Sequence, residues 1–102
     1  MNPTILIVDD DTSNLASLVK VFERFNARVL PATSGQEALG TLRNKSVEIV
    51  LTDLMMPNMS GVDLLKHVRS ISPDTEVILM TAYGTIERAV EAMREGAYDF
   101  VT

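Results

Sequence analysis

Two kinds of segment alternate along this chain, and the alternation leaves few folds open to it. Residues 4–9, 47–53 and 76–81 are short apolar runs, and weaker runs occupy residues 27–31 and 97–101. The three strong runs are continuous in polarity rather than alternating, as strands covered on both faces are. Between them, apolar residues recur at helical spacing. Leu15, Leu18, Val19 and Phe22 form one stripe, Leu64, Leu65, Val68 and Ile71 a second, and Ile86, Ala89, Val90 and Met93 a third. Ala38, Leu39 and Leu42 form a weaker one, interrupted by Gly40. The helix ends are marked as well. Asp11 with Thr12 reads as an N-cap, Ser34 with Glu37 as a capping box, and Ser60 with Asp63 as a looser version. Gly96 stands where a helix-ending glycine belongs. The order is β-α-β-α-β-α-β-α-β, which implies right-handed crossovers and a mostly parallel sheet with helices on both faces. With 102 residues, 46% of them hydrophobic, the chain can build one such domain around a real core.

A parallel sheet gathers the carboxyl ends of its strands on one edge, and ligands bind there. The first run, "ILIVDDD", ends on Asp9 and Asp10; "VEIVLTDL" ends at Asp53; "EVILMTA" ends at Thr81. Carboxylates crowded on one edge repel and raise one another's pKa, and a cation would relieve them. Cysteine is absent and His67 is the one histidine, so thiolate and His-rich sites are excluded. Oxygen donors alone suit a hard divalent ion, Mg²⁺ before others. His67 itself, in "LLKHVRS", falls on the polar side of its helix and reads as a solvated surface residue. The methionines of "LMMPNM" read as loop packing. A net charge of -5 argues against nucleic-acid binding. No apolar run approaches the roughly 20 residues of a membrane span, and "MNPTILIVDD" lacks the basic start of a signal peptide. A cytoplasmic protein is the expectation.

"IVDDD", "LTDLMMPNMSG" and "MTA", in this order and on these elements, resemble the receiver domain of bacterial two-component response regulators. The ending "GAYDFVT" is similar to the subgroup attached to σ54-dependent activators of the nitrogen-regulator type. The resemblance covers the whole chain. It implies a doubly wound, flavodoxin-like, five-stranded sheet in the strand order 2-1-3-4-5. It implies that Asp53 takes a phosphoryl group from a phosphohistidine on a sensor histidine kinase, with a carboxylate as nucleophile and Mg²⁺ as clamp and charge. By the same resemblance Asp9, Asp10, Asp53 and Met55 make the Mg²⁺ site, Asp10 binding directly, Asp9 largely through water and Met55 through its backbone carbonyl. Thr81 is implied as the hydroxyl that meets the phosphoryl group, and Phe100 as the switch aromatic. Pro57 and Gly61 match the loop and helix start after the phosphorylated aspartate. In the family pattern small Ala82 would keep a path to Asp53 open and bulky Met55 and Tyr83 would flank it, so slow water entry and a fairly long-lived phosphoryl state are expected. The implied output is a shift of the surface formed by the fourth strand, the fourth helix (residues 86–95) and the fifth strand. That surface would control an output domain, transcriptional in kind, outside this chain. The domain is then a regulatory phosphoacceptor that assists its own phosphorylation and dephosphorylation, rather than an enzyme.

One departure shapes the remaining expectations. In the family "YDFVT" leads into Lys-Pro and a fifth helix, and neither is among these 102 residues. Residues 1–102 then read as a receiver truncated before that helix, with impaired switching, an exposed apolar face and a tendency to self-associate. The missing lysine leaves an alternative open, a pseudo-receiver acting only as an interaction module. A rival from another class is the aspartate-nucleophile phosphatase, since "DDDTS" partly resembles the DxDx[TV] motif of haloacid dehalogenases. Asp9 would be the nucleophile and Asp11 the acid. Ser13 occupies the position that requires Thr or Val, and that fold needs a longer chain.

Overall fold

Every apolar run forms a strand and every stripe a helix. The computed structural model describes residues 2–81 and 86–101, with Ile86 in its backbone only. The elements are β1 (Thr4–Val8), α1 (Thr12–Glu23), β2 (Arg28–Ala32), α2 (Gly35–Asn44), β3 (Ile49–Asp53), α3 (Gly61–Ile71), β4 (Glu76–Met80), α4 (Ile86–Arg94) and β5 (Asp99–Val101). The strands are parallel throughout and lie in the order β2-β1-β3-β4-β5, a doubly wound, flavodoxin-like sheet. Strand limits differ from the sequence reading by one or two residues. Asp9 and Thr81 fall just beyond their strands, yet the ladder continues through them: the Asp9 N–H donates to the Ala32 carbonyl at 3.1 Å, and the Thr81 N–H to the Val101 carbonyl at 3.1 Å.

Because side chains alternate across a strand, the continuous runs divide between two cores. Leu6, Val8, Val50, Leu54, Val77 and Leu79 face α2 and α3 and the buried Ala92 of α4. Ile5, Ile7 and Leu51 face α1, meeting Leu15, Leu18, Val19 and Phe22. Among the described residues α1 is the one helix in this second cluster. Ile78 and Met80 stay half-buried there, and Val21, Phe25 and Val101 are exposed.

The caps hold one reversal. Asp11 caps α1 as expected, accepting from the Ser13 and Asn14 N–H groups at 3.0 and 3.1 Å. Ser60 and Asp63, the looser pair in sequence, make the full reciprocal box at 3.1 and 3.3 Å. Ser34 accepts from the Glu37 N–H, but the Glu37 carboxylate takes the Thr33 hydroxyl at 2.9 Å instead of closing the box. A hydroxyl one residue upstream outcompetes the backbone for that carboxylate. Gly96 has φ +101°, the left-handed value that ends α4.

Two stripe assignments need correction. In α4, Val90 and Met93 are exposed, while Ala92 is buried and Ala89 half-buried. Ala97, just after the helix, is buried too and donates to the Ala92 carbonyl at 3.0 Å. Small residues let the helix approach closely on this side, so the inward face is the alanine face. In α3, Leu64, Leu65 and Val68 are buried, but Ile71 in the last turn is exposed. No helix among the described residues is long and apolar enough to cross a membrane.

Candidate functional site

β1 and β3 are neighbours with Val8 opposite Thr52. The next residues on each, Asp9 and Asp53, therefore leave the sheet side by side, with Asp10 following. One carboxylate oxygen from each of Asp9, Asp10 and Asp53 lies within 4.8 Å of the others. The three differ in setting. Asp9 is buried, at 1% exposure, with both oxygens engaged. Its Oδ1 accepts from the Asp11 N–H at 2.9 Å and its Oδ2 from the Asn14 side-chain amide at 2.9 Å. Asp10 is exposed and Asp53 half-buried. The Met55 N–H donates to Asp53 Oδ1 at 3.3 Å.

Burial pushes the Asp53 pKa above the usual aspartate value, and the charges of Asp9 and Asp10 push it further, against the pull of the Met55 and Leu54 N–H groups. A half-buried carboxylate that resists ionising beside two others is a setting a cation would stabilise. All three donors are carboxylate oxygens, which fits Mg²⁺ or a similar hard ion. Asp11, the fourth nearby acid, is occupied in capping α1 and stands outside the group.

The surroundings of Asp53 are fixed by the next loop. Asp53 pairs with Met80, so Thr81, buried at 7% exposure, stands one residue further along on the adjacent strand. The Leu54 N–H donates to the Met80 carbonyl at 2.9 Å, and the Gly61 N–H returns to the Leu54 carbonyl at 2.8 Å. The start of α3 is thereby stitched against the end of β3. Gly61 permits this closeness: a Cβ there would sit 2.5 Å from the Asp53 carbonyl oxygen. Between them, Met55 is exposed, while Met56 and Met59 pack against the larger core, as loop methionines should. Met59 also lies over Gly35 at the start of α2.

Phe100 is half-buried beside its register partner Leu79 and packs on the larger core. Its neighbour Val101 receives the Thr81 N–H, so Phe100 is one residue from the strand end that holds Thr81. Ala82 and Tyr83, expected to flank the access path, lie outside the described residues. His67 is exposed, with Nδ1 2.9 Å from the Asp63 carbonyl oxygen, a surface position as expected. The sequence reading did not single out Asn14. Its signal was available: it is the third residue of α1, one turn from the acidic pair, where a side chain can reach back toward the preceding loop.

A family model described as response regulator receiver domain matches residues 5–102. The transcriptional regulatory protein ZraR of Escherichia coli K12 is 38% identical over 100 residues, which is 98% of this chain but 23% of that protein. The beryllofluoride-activated receiver domain dimer of NtrC4 superimposes with a TM-score of 0.90 at 31% identity, over 96% of this chain and 81% of that one. A Burkholderia pseudomallei response regulator, solved with a phosphorylated aspartic acid, a calcium ion and citrate, superimposes at 0.92 with 28% identity, over 98% of this chain and 59% of that one. A doubly wound sheet whose acidic pair and third-strand aspartate meet at one edge, matched along nearly its whole length, belongs to the response regulator receiver domain family, in its nitrogen-regulator-like branch.

Proposed function

We propose that this domain receives a phosphoryl group on Asp53 from the phosphohistidine of a sensor histidine kinase and signals the event through its α4–β5 surface. The observation that carries the reading is the convergence of Asp9, Asp10 and Asp53 within 4.8 Å. One Asp53 oxygen attacks phosphorus in line, the P–N bond breaks, the electron pair leaves with the imidazole, and an acyl phosphate remains. Mg²⁺, when bound, neutralises charge on the transferring oxygens. Asp10, Asp53 and the Met55 carbonyl would hold it, and buried Asp9 would add a fixed negative charge. The Met55 N–H orients the Asp53 carboxylate before attack. Thr81 donates its hydroxyl to the phosphoryl group, and Phe100 repacks behind it, which changes the α4 and β5 surface. The exposed Met55 screens the approach to Asp53 and lengthens the life of the acyl phosphate. The output domain, transcriptional in kind, lies elsewhere in the protein, the domain contacts no nucleic acid itself, and it works in the cytoplasm. The phosphatase reading loses ground because both Asp9 oxygens already accept hydrogen bonds from α1 and its cap.

The test is incubation with acetyl phosphate and Mg²⁺ followed by intact and peptide mass measurement. A single phosphoryl adduct on Asp53, absent in Asp53→Asn, is expected. An adduct on Asp9 would promote the phosphatase reading, and no adduct would promote the pseudo-receiver.

A further inference from the structure

One carboxylate of the acidic group is held by a residue outside it. At the third position of a helix, a Glu or Gln side chain ordinarily reaches back to the N-cap N–H. In α1 that N–H, on Asp11, is already taken by Asp9 Oδ1 at 2.9 Å. Asn14 instead donates its side-chain amide to Asp9 Oδ2 at 2.9 Å. Asp9 is thus held at both oxygens, one by the chain that follows it and one by the first turn of α1. Asn14 is itself exposed and has no place in either core cluster. Its backbone N–H is bound separately, to Asp11 Oδ1 at 3.1 Å, so the helix cap does not depend on its side chain.

We propose that Asn14 is a positioning residue for the divalent-cation site: its amide fixes the rotation of the buried Asp9 carboxylate, so that Asp10 and Asp53 meet the cation against an anion of set geometry. The proposal rests on reading Asp9, Asp10 and Asp53 as that site. Outer partners that orient metal-binding groups typically change metal affinity about 10- to 100-fold when removed. Asn14→Ala keeps a good helix former at this position while deleting the donor. Asn14→Gln keeps an amide that can reach back with one more methylene.

The measurement is Mg²⁺ titration of the folded protein by calorimetry and by the amide shifts of Asp10 and Asp53, with metal-free urea denaturation of each variant alongside. Asn14→Ala should weaken Mg²⁺ about tenfold or more, and Asn14→Gln should recover most of the loss. Asn14→Leu, which keeps the branched shape of the side chain without its donor, should behave as the alanine variant does. A purely structural role would move the denaturation midpoint and leave the Kd of the folded protein alone. An Asn14→Ala protein that binds Mg²⁺ within twofold of the parent overturns the inference while the proposed function stands. A parent that binds no Mg²⁺ overturns both.

Discussion

Replacing Gly61 by alanine sets two effects of opposite sign against each other. Gly61 opens α3 and does not have the positive φ that would bar a side chain. Helix propensity alone would therefore favour Gly61→Ala by up to about 1 kcal/mol. Space opposes it. The new Cβ would lie 2.5 Å from the Asp53 carbonyl oxygen, 2.7 Å from Leu79 Cδ2 and 2.9 Å from Leu54 Cα, where real Cβ atoms keep at least 3.0 Å. The leucine methyl can swing, but two of the three neighbours are backbone, so β3 and α3 must part by about 0.5 Å, near the tolerance of a working site. Overpacking of this kind costs roughly 1–3 kcal/mol, and the Gly61-to-Leu54 bond, worth about 1 kcal/mol, is weakened with it. The net expectation is a loss of about 2 kcal/mol and a melting point lower by roughly 10 °C. The displaced backbone is that of Asp53, the nucleophile of the proposed function, so on that reading acetyl phosphate labelling should slow by about tenfold. Gly40 provides the control. A Cβ there meets nothing within 4 Å, so Gly40→Ala in α2 should stabilise by roughly 0.5–1 kcal/mol and leave labelling unchanged. Urea denaturation and labelling kinetics on both variants decide. A Gly61→Ala protein as stable and as readily labelled as the parent would refute the close-packing argument.

Asp53→Asn should stabilise the metal-free protein at neutral pH. The folded-state pKa of Asp53 is raised, so its favourable contribution is full below the unfolded value of 3.8 and lost as pH rises through the folded value. The advantage of the asparagine should shrink toward zero at low pH in EDTA, and a gap that instead widens on acidification contradicts the sign. Asp10→Ala should abolish Mg²⁺ binding and Asp9→Ala weaken it, measured by calorimetry, and an unchanged isotherm for Asp10→Ala rejects the assignment. The 102-residue chain should self-associate through the α1 side of the sheet, where Phe25, Val21 and Val101 are exposed. Sedimentation velocity across concentration checks this, and a cooperative monomer at the highest concentration would show that α1 covers the face well enough.

The sheet was legible because burial on both faces leaves a signal that little else produces. Ile5 to Val8 had to be a covered strand, and the acids that ended it had to share an edge with Asp53. What failed to show was which of two adjacent helical faces turns inward. In α4 the stripe of Ile86, Ala89, Val90 and Met93 includes Ala89, which is half-buried, but takes in exposed Val90 and Met93 and leaves out Ala92, the one buried there among the described residues. Ile71 failed similarly: it keeps the period, but it sits at the last turn of the helix, where it stays exposed. The caps show a finer limit. Ser34 and Glu37 have the spacing of a box, but spacing does not reveal that Thr33 competes for the glutamate. Asn14 was hidden for the same reason, since its partner Asp9 is identified only when the loop between them has a shape.

The hydrogen bond from the Thr4 N–H to Glu48 joins residues 44 apart, and it opens the pairing of β1 with β3. Contacts of this range are slow to form because a loop must close before any interaction rewards it. Here the two strands also carry like charges toward a common point, so the last steps of zipping work against repulsion. Refolding followed by stopped flow should then be faster in Mg²⁺ than in EDTA, and identical rates would show that the strands meet after the rate-limiting step. Faster refolding in Mg²⁺ would mean that the acidic edge acts on assembly as well as in the finished domain, a cation easing the meeting of β1 and β3.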